Sequence, residues 1–107
     1  MNENWIGVDF DGTLAYHDRW RGNMHFGEPI QVMVERVKTW LANGCRIKIF
    51  TARANDGPQV VLLIQDWLEA NGLPRLEVTA TKDYAMIELW DDKCIAVERN
   101  TGRMRDV

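Results

Sequence analysis

Asp9-Phe10-Asp11-Gly12-Thr13-Leu14 places two carboxylates one residue apart where an apolar run meets a glycine turn. Trp5, Ile6, Gly7, Val8 and Phe10 read as a short buried strand, and side chains alternate along a strand, so Asp9 and Asp11 share a face. Their carboxylates converge at the strand's end, an arrangement suited to phosphate chemistry. In an open α/β sheet ligands bind at the carboxyl ends of the strands. A buried carboxylate without a partner is costly enough that a metal or a basic residue is expected close by. A plain Asp-Gly turn would account for Asp11 and leave Asp9 unexplained.

Three further polar signals follow apolar runs: Thr51 after Arg46 to Phe50, Lys82 after Leu76 to Thr79, and Asp91-Asp92 after Ile87 to Trp90. In a parallel sheet all four signals gather at one edge. A nucleophile candidate, a hydroxyl, a lysine and an acidic pair in this order are together a far stronger sign of a site than any one of them.

The elements that must position these groups alternate. Pro29 to Asn43 is predicted as a helix with Ile30, Met33, Val34, Val37 and Leu41 on one face, Pro29 in its first turn and Gly44 at its stop. Pro58 opens a second helix, with Val61, Ile64, Trp67 and Leu68 buried and Asn71-Gly72 at its end. A turn or short helix is expected around Tyr84. Cys94 to Glu98 reads as a fifth strand, followed by a tight turn at Asn100-Thr101-Gly102 and a tail that adds a small terminal strand. Strands alternating with helices imply an α/β protein with a mostly parallel, Rossmann-like central sheet in a three-layer α/β/α sandwich.

At 107 residues the chain is read as one domain spanning 1–107. No apolar run approaches a membrane span, and Met1-Asn2-Glu3-Asn4 lacks the basic and apolar regions of a signal peptide, so a cytoplasmic location is expected. The net charge of −3 gives no support to nucleic-acid binding through a broad basic surface. Cys45 and Cys94 have no Cys or His at ligand spacing and read as buried thiols opening strands.

In the order and placement of these motifs the chain resembles the haloacid dehalogenase superfamily of aspartate-nucleophile phosphohydrolases. Asp9-Phe10-Asp11-Gly12-Thr13 is similar to that family's first motif, Thr51 to its second, Lys82 to its third and Asp91-Asp92 to its acidic fourth. The resemblance implies that Asp9 attacks phosphorus and forms an aspartyl-phosphate, with Asp11 as general acid/base. At an unperturbed pKa only about one Asp11 in a thousand would hold a proton at pH 7, so crowding by neighbouring acids is expected to raise it. Lys82 and Thr51 would stabilise the phosphoryl group in the transition state, while Gly12, Thr13, Ala52 and Arg53 lie beside them as substrate-binding positions. Asp9, Asp91 and Asp92 with a phosphate dianion would repel one another by roughly 4 kcal/mol per pair at 4 Å. Magnesium, bound by the Asp9 side chain, the Asp11 backbone carbonyl and Asp91, with Asp92 directly or through water, would relieve that.

Where larger relatives insert a cap, this chain has only a flap at about 15–28, containing Tyr16, His17, Arg19, Trp20, Arg21, His25 and Phe26. An open site suits a macromolecular phosphorylated substrate, unless a homo-oligomer closes it over a small one. Trp20 and Phe26 are expected to pin the flap to the body. Phosphoryl transfer to an acceptor other than water needs the same residues, and a catalytically silent metal-binding or interaction domain would retain the same fold.

Overall fold

A computed structural model describes residues 3–105. Met1 and Asn2 of the stretch read for a leader, and Asp106 and Val107 of the tail, lie outside the described residues. The elements are β1 (Trp5–Val8), α1 (Gln31–Ala42), β2 (Arg46–Phe50), α2 (Pro58–Ala70), β3 (Glu77–Thr79) and β4 (Met86–Trp90), with a 3-10 turn over Ala52–Asp56. The four strands form one sheet in the order β3-β2-β1-β4, every neighbouring pair parallel. The chain is therefore α/β, as expected, with all strands ending at the same edge.

Strand alternation sorts the side chains. Ile6 and Val8 of β1 and Ile47 and Ile49 of β2 join Met33, Val34 and Val37 of α1 and Val60, Ile64 and Leu68 of α2 in one core. Burial of each such side chain contributes about 1.5–3 kcal/mol. On α2 the buried row is Val60, Ile64 and Leu68 rather than one starting at Val61, because side chains four apart stack along one line of the helix. Pro29 lies outside α1, whose N-cap is Ile30; it bridges to Ala15 instead.

The opposite face carries Trp5, Gly7 and Lys48. Trp5 is buried, its Nε1 donates to Asp83 at 2.9 Å, and the Lys48 ammonium sits 4.5 Å from its ring centroid. Glu77 holds the same ammonium at 3.1 Å. Of the two charged residues of β2, Arg46 is exposed and Lys48 is a buried, paired cation that packs as well as ionises.

The predicted fifth strand does not form. Residues 94–98 leave the sheet and pair with the tail, through a bridge between Val97 and Met104 and hydrogen bonds Glu98 N–H to Arg103 O and Arg105 N–H to Ala96 O. The turn at Asn100-Thr101-Gly102 is present, with positive φ at Asn100 and Gly102, and it folds the segment onto the tail rather than onto β4. Ile95 and Val97 are consequently exposed, and so is Cys94, contrary to the buried thiol expected there. Cys45 packs against the core.

The flap leaves and rejoins the body at a stitched base. Tyr16 N–H donates to Glu28 O at 2.7 Å and Ile30 N–H to Leu14 O at 2.8 Å. A Cβ at Gly27 would overlap the Tyr16 carbonyl oxygen, which is backbone and has nowhere to go. Gly27→Ala is therefore expected to cost about 1–3 kcal/mol, and a thermal melt that leaves the midpoint unchanged would contradict this packing.

Candidate functional site

The parallel ladder continues past the strand ends and carries the polar residues with it. Asp9 N–H donates to Trp90 O and Thr51 N–H to Thr79 O, each at 2.9 Å. Asp9 thus sits between the end of β2 and the Asp91-Asp92 pair that follows β4. Phe10 then closes a tight turn, its carbonyl accepting from the N–H groups of Thr13, Leu14 and Ala15, which returns Thr13 against the two acids. Gly12 has φ +88°, and a Cβ there would lie 2.6 Å from Asp92 Oδ2. Only glycine lets the turn approach that carboxylate.

Asp9, Asp91 and Asp92 each present a ligand atom within 4.8 Å of the others. Thr13 Oγ1 lies 3.3 Å from both Asp9 Oδ2 and Asp92 Oδ1, and it accepts from Asp92 N–H at 3.1 Å. One hydroxyl proton serves only one of the two carboxylates at a time. Burial first, then the hydrogen bond with Asp92 and the charges of Asp91 and Asp92, push the Asp9 carboxyl up to about 7. The crowding by acids expected around Asp11 therefore falls on Asp9.

Asp11 has a different neighbour. Arg53 Nε and Nη2 donate to Asp11 Oδ2 and Oδ1 at 2.7 and 2.9 Å, a two-pronged pair with the guanidinium 4% exposed. His17 Nδ1 stands 3.8 Å from Asp11 Oδ1. The Thr51 hydroxyl is buried and accepts from Arg53 N–H at 3.2 Å, fixing the start of the 3-10 turn. Arg53, expected among the substrate-binding positions, lines the cleft with its guanidinium engaged by Asp11.

A cleft of about 550 Å³ opens over these groups, lined by Asp9, Asp11, Thr51, Ala52, Asp91 and Asp92 together with His17, Trp20, Arg53 and Lys93. Gly12 and Thr13 back the acids from behind rather than line it. Lys82 is not brought to this cleft. It is exposed and lines a separate hollow with Asp83, Tyr84 and Met86. The reason is topological: residues 80–85 must cross from the carboxyl end of β3 to the amino end of β4, where Met86 pairs with Trp5, and this carries the lysine away. Lys93 is the lysine in the cleft, and sequence reading missed it. Its signal was its place directly after Asp91-Asp92, where its N–H donates to Asp91 Oδ1 at 2.8 Å.

Of the two aromatics expected to pin the flap, Phe26 does so by packing edge-on against Phe10 at 5.4 Å between centroids. Trp20 remains 59% exposed and lies over the Arg53 guanidinium at 4.8 Å.

No family model matches the chain, and no curated protein matches it. A solved structure described as that of a conserved protein from Bacteroides thetaiotaomicron is similar, with a TM-score of 0.62 and 24% sequence identity over 94% of this chain and 80% of that chain. At that identity the likeness extends to the fold. Among the described residues no helix is long and apolar enough to cross a membrane.

Proposed function

We propose that this chain is a magnesium-dependent phosphomonoesterase of the haloacid dehalogenase type that works through an aspartyl-phosphate on Asp9. The observation that carries the reading is the meeting of Asp9, Asp91 and Asp92 within 4.8 Å at the carboxyl edge of an all-parallel sheet, beside Thr51 and inside an open cleft. Structural ion pairs do not explain that cluster. Among the described residues no Arg or Lys side chain pairs with any of the three, and a bound cation would offset their mutual repulsion.

The donor set is all oxygen and hard, which fits magnesium better than a metal that favours imidazole or thiolate. Held by Asp9, Asp91 and Asp92, magnesium would neutralise the cluster and draw charge from the phosphoryl oxygens. Asp9 then attacks phosphorus with its free carboxylate oxygen as the bond to the leaving oxygen breaks, and delivery of a proton to that oxygen is the role that the resemblance gives Asp11. Arg53 fixes both Asp11 oxygens in place, and Thr51 and Lys93 offer donors at the same mouth. Water completes the reaction by hydrolysing the acyl phosphate, with Asp11 as the base.

A binding or assembly role draws on one observation, the absence of Lys82 from the cleft. Lys93 supplies the missing positive charge and keeps the catalytic reading ahead. The same reading takes the sheet as the core of a Rossmann-like, three-layer sandwich; the described helices cover the Ile6 and Val8 face, and the third layer would lie over Trp5 and Lys48. A cytoplasmic location and a phosphorylated substrate, macromolecular because the site is uncapped, complete the proposal.

Hydrolysis of p-nitrophenyl phosphate is expected to require magnesium, to stop with EDTA and to return when magnesium is added back. Turnover that survives EDTA would remove the metal from the mechanism. A panel of nucleotides, sugar phosphates and phosphorylated oligonucleotides assayed alongside would identify the preferred class.

A further inference from the structure

The Arg53 side chain reaches well beyond Asp11. Besides its two bonds to Asp11, Nη2 donates to His25 O at 2.9 Å and Nη1 to Gly22 O at 3.3 Å. Both acceptors are backbone carbonyls of the flap. The guanidinium also packs against the rings of Trp20 and Phe26, 4.8 and 4.9 Å from their centroids. Of its five N–H groups, four are bonded, and its own backbone N–H is fixed by Thr51 Oγ1.

Such a side chain has little left with which to grip a phosphate. What it does is join three parts that the sequence separates: the turn after β1 that carries Asp11, the turn after β2 that carries Thr51, and the tip of the flap. The base of the flap is held by the Tyr16–Glu28 stitch, by Phe26 on Phe10 and by Trp67 Nε1, which donates to Gly27 O at 3.0 Å, and His17 Nδ1 stands 3.8 Å from Asp11 Oδ1; at the tip, Gly22 and His25 are tied to the body by this guanidinium. Trp20, which walls the cleft beside Asp9 and Asp11 with His17, lies directly over it.

We infer that Arg53 is a positioning residue that latches the flap onto Asp11, so that the wall of the cleft and the orientation of the acid/base carboxylate are set by one guanidinium rather than by two independent devices. The catalytic half rests on the phosphohydrolase reading; the latch itself does not. Lysine in its place would keep the charge and lose the fork, since an ammonium cannot hold two carboxylate oxygens and two carbonyls in one plane.

Limited trypsin digestion with mass mapping, phosphatase kinetics and inhibition by inorganic phosphate, each on wild type, Arg53→Lys and Arg53→Met, test this directly. In both variants cleavage after Arg19 and Arg21 is expected to rise about tenfold, as for a segment freed by roughly 1.4 kcal/mol of lost docking, while cleavage after Arg99 and Arg103 in the tail stays as in wild type. In Arg53→Lys kcat is expected to fall about 10-fold to 100-fold with the phosphate inhibition constant within about twofold of wild type, the pattern of lost positioning rather than lost binding. Unchanged flap cleavage in both variants overturns the latch. A phosphate inhibition constant raised tenfold with the flap still protected overturns it too, by making Arg53 a phosphate ligand. If wild type turns over no substrate, the phosphatase reading fails while the digestion still decides the latch.

Discussion

Asp9→Asn is expected to abolish phosphate release, by a factor on the order of 10⁴ or more as for loss of other covalent nucleophiles, and at the same time to stabilise the metal-free protein at pH 8. The two effects have one cause. Burial among Asp91 and Asp92 holds the Asp9 carboxyl at about 7, well above its ordinary 3.8, so the folded state binds a proton that the unfolded chain has released. Between about pH 4 and 7 the native state therefore carries more protons, and stability falls as pH rises through that window, levelling off above it.

The full shift corresponds to ~4 kcal/mol; solvent screening of a carboxylate that is only part-buried reduces this to roughly 1–2 kcal/mol. Asparagine has no charge to desolvate. Urea melts without magnesium at pH 5 and pH 8 should accordingly diverge for wild type and agree more closely for Asp9→Asn. With magnesium the order reverses, because binding to the folded state alone adds about 2.7 kcal/mol at a hundredfold excess over Kd, a gain expected for wild type and diminished in the variant. A wild-type protein no less stable at pH 8 than at pH 5 without metal would mean that Asp9 is not crowded as described.

The sheet was legible because its signals are local. β2 falls on the residues predicted, and the helices differ by a residue or two, since apolar periodicity and the Pro and Gly punctuation act within a few residues. Asp9, Thr51 and Asp91-Asp92 were placed together for the same reason: each follows a strand directly, and parallel strands end at one edge. Lys82 was misplaced because its position depends on the route of a six-residue crossing, which no local pattern records. Arg53 shows the limit most sharply. Its spacing from Thr51 was visible, but its partners at Asp11, Gly22 and His25 lie 42, 31 and 28 residues away, a meeting created only by the fold. The fifth strand failed for a related reason, since alternating Ile95 and Val97 specify a strand without specifying which neighbour it joins.

Phe10, the residue between the two acids, is expected to be the most sensitive point of the core. Alternation turns it away from Asp9 and Asp11 into the helix side, where it is wholly buried and meets Trp67 of α2 and Phe26 of the flap edge-on, 4.9 and 5.4 Å between centroids. Truncation to alanine would remove both aromatic contacts and leave a cavity under the turn that carries Asp11, at a cost of about 3–5 kcal/mol. A domain of this size has only about 5–15 kcal/mol in all, and each kcal/mol lowers the midpoint by roughly 4–8 °C, so Phe10→Ala should melt at least about 12 °C below wild type. Phe10→Leu refills most of the volume and should recover more than half of that loss. Activity divides the two roles of the position: the leucine variant should retain turnover at temperatures where it is folded, because the acids are aimed by the backbone of the turn rather than by the ring. A leucine variant that is folded but inactive would show instead that the Phe26 contact, and with it the docked flap, is what holds the two carboxylates in register.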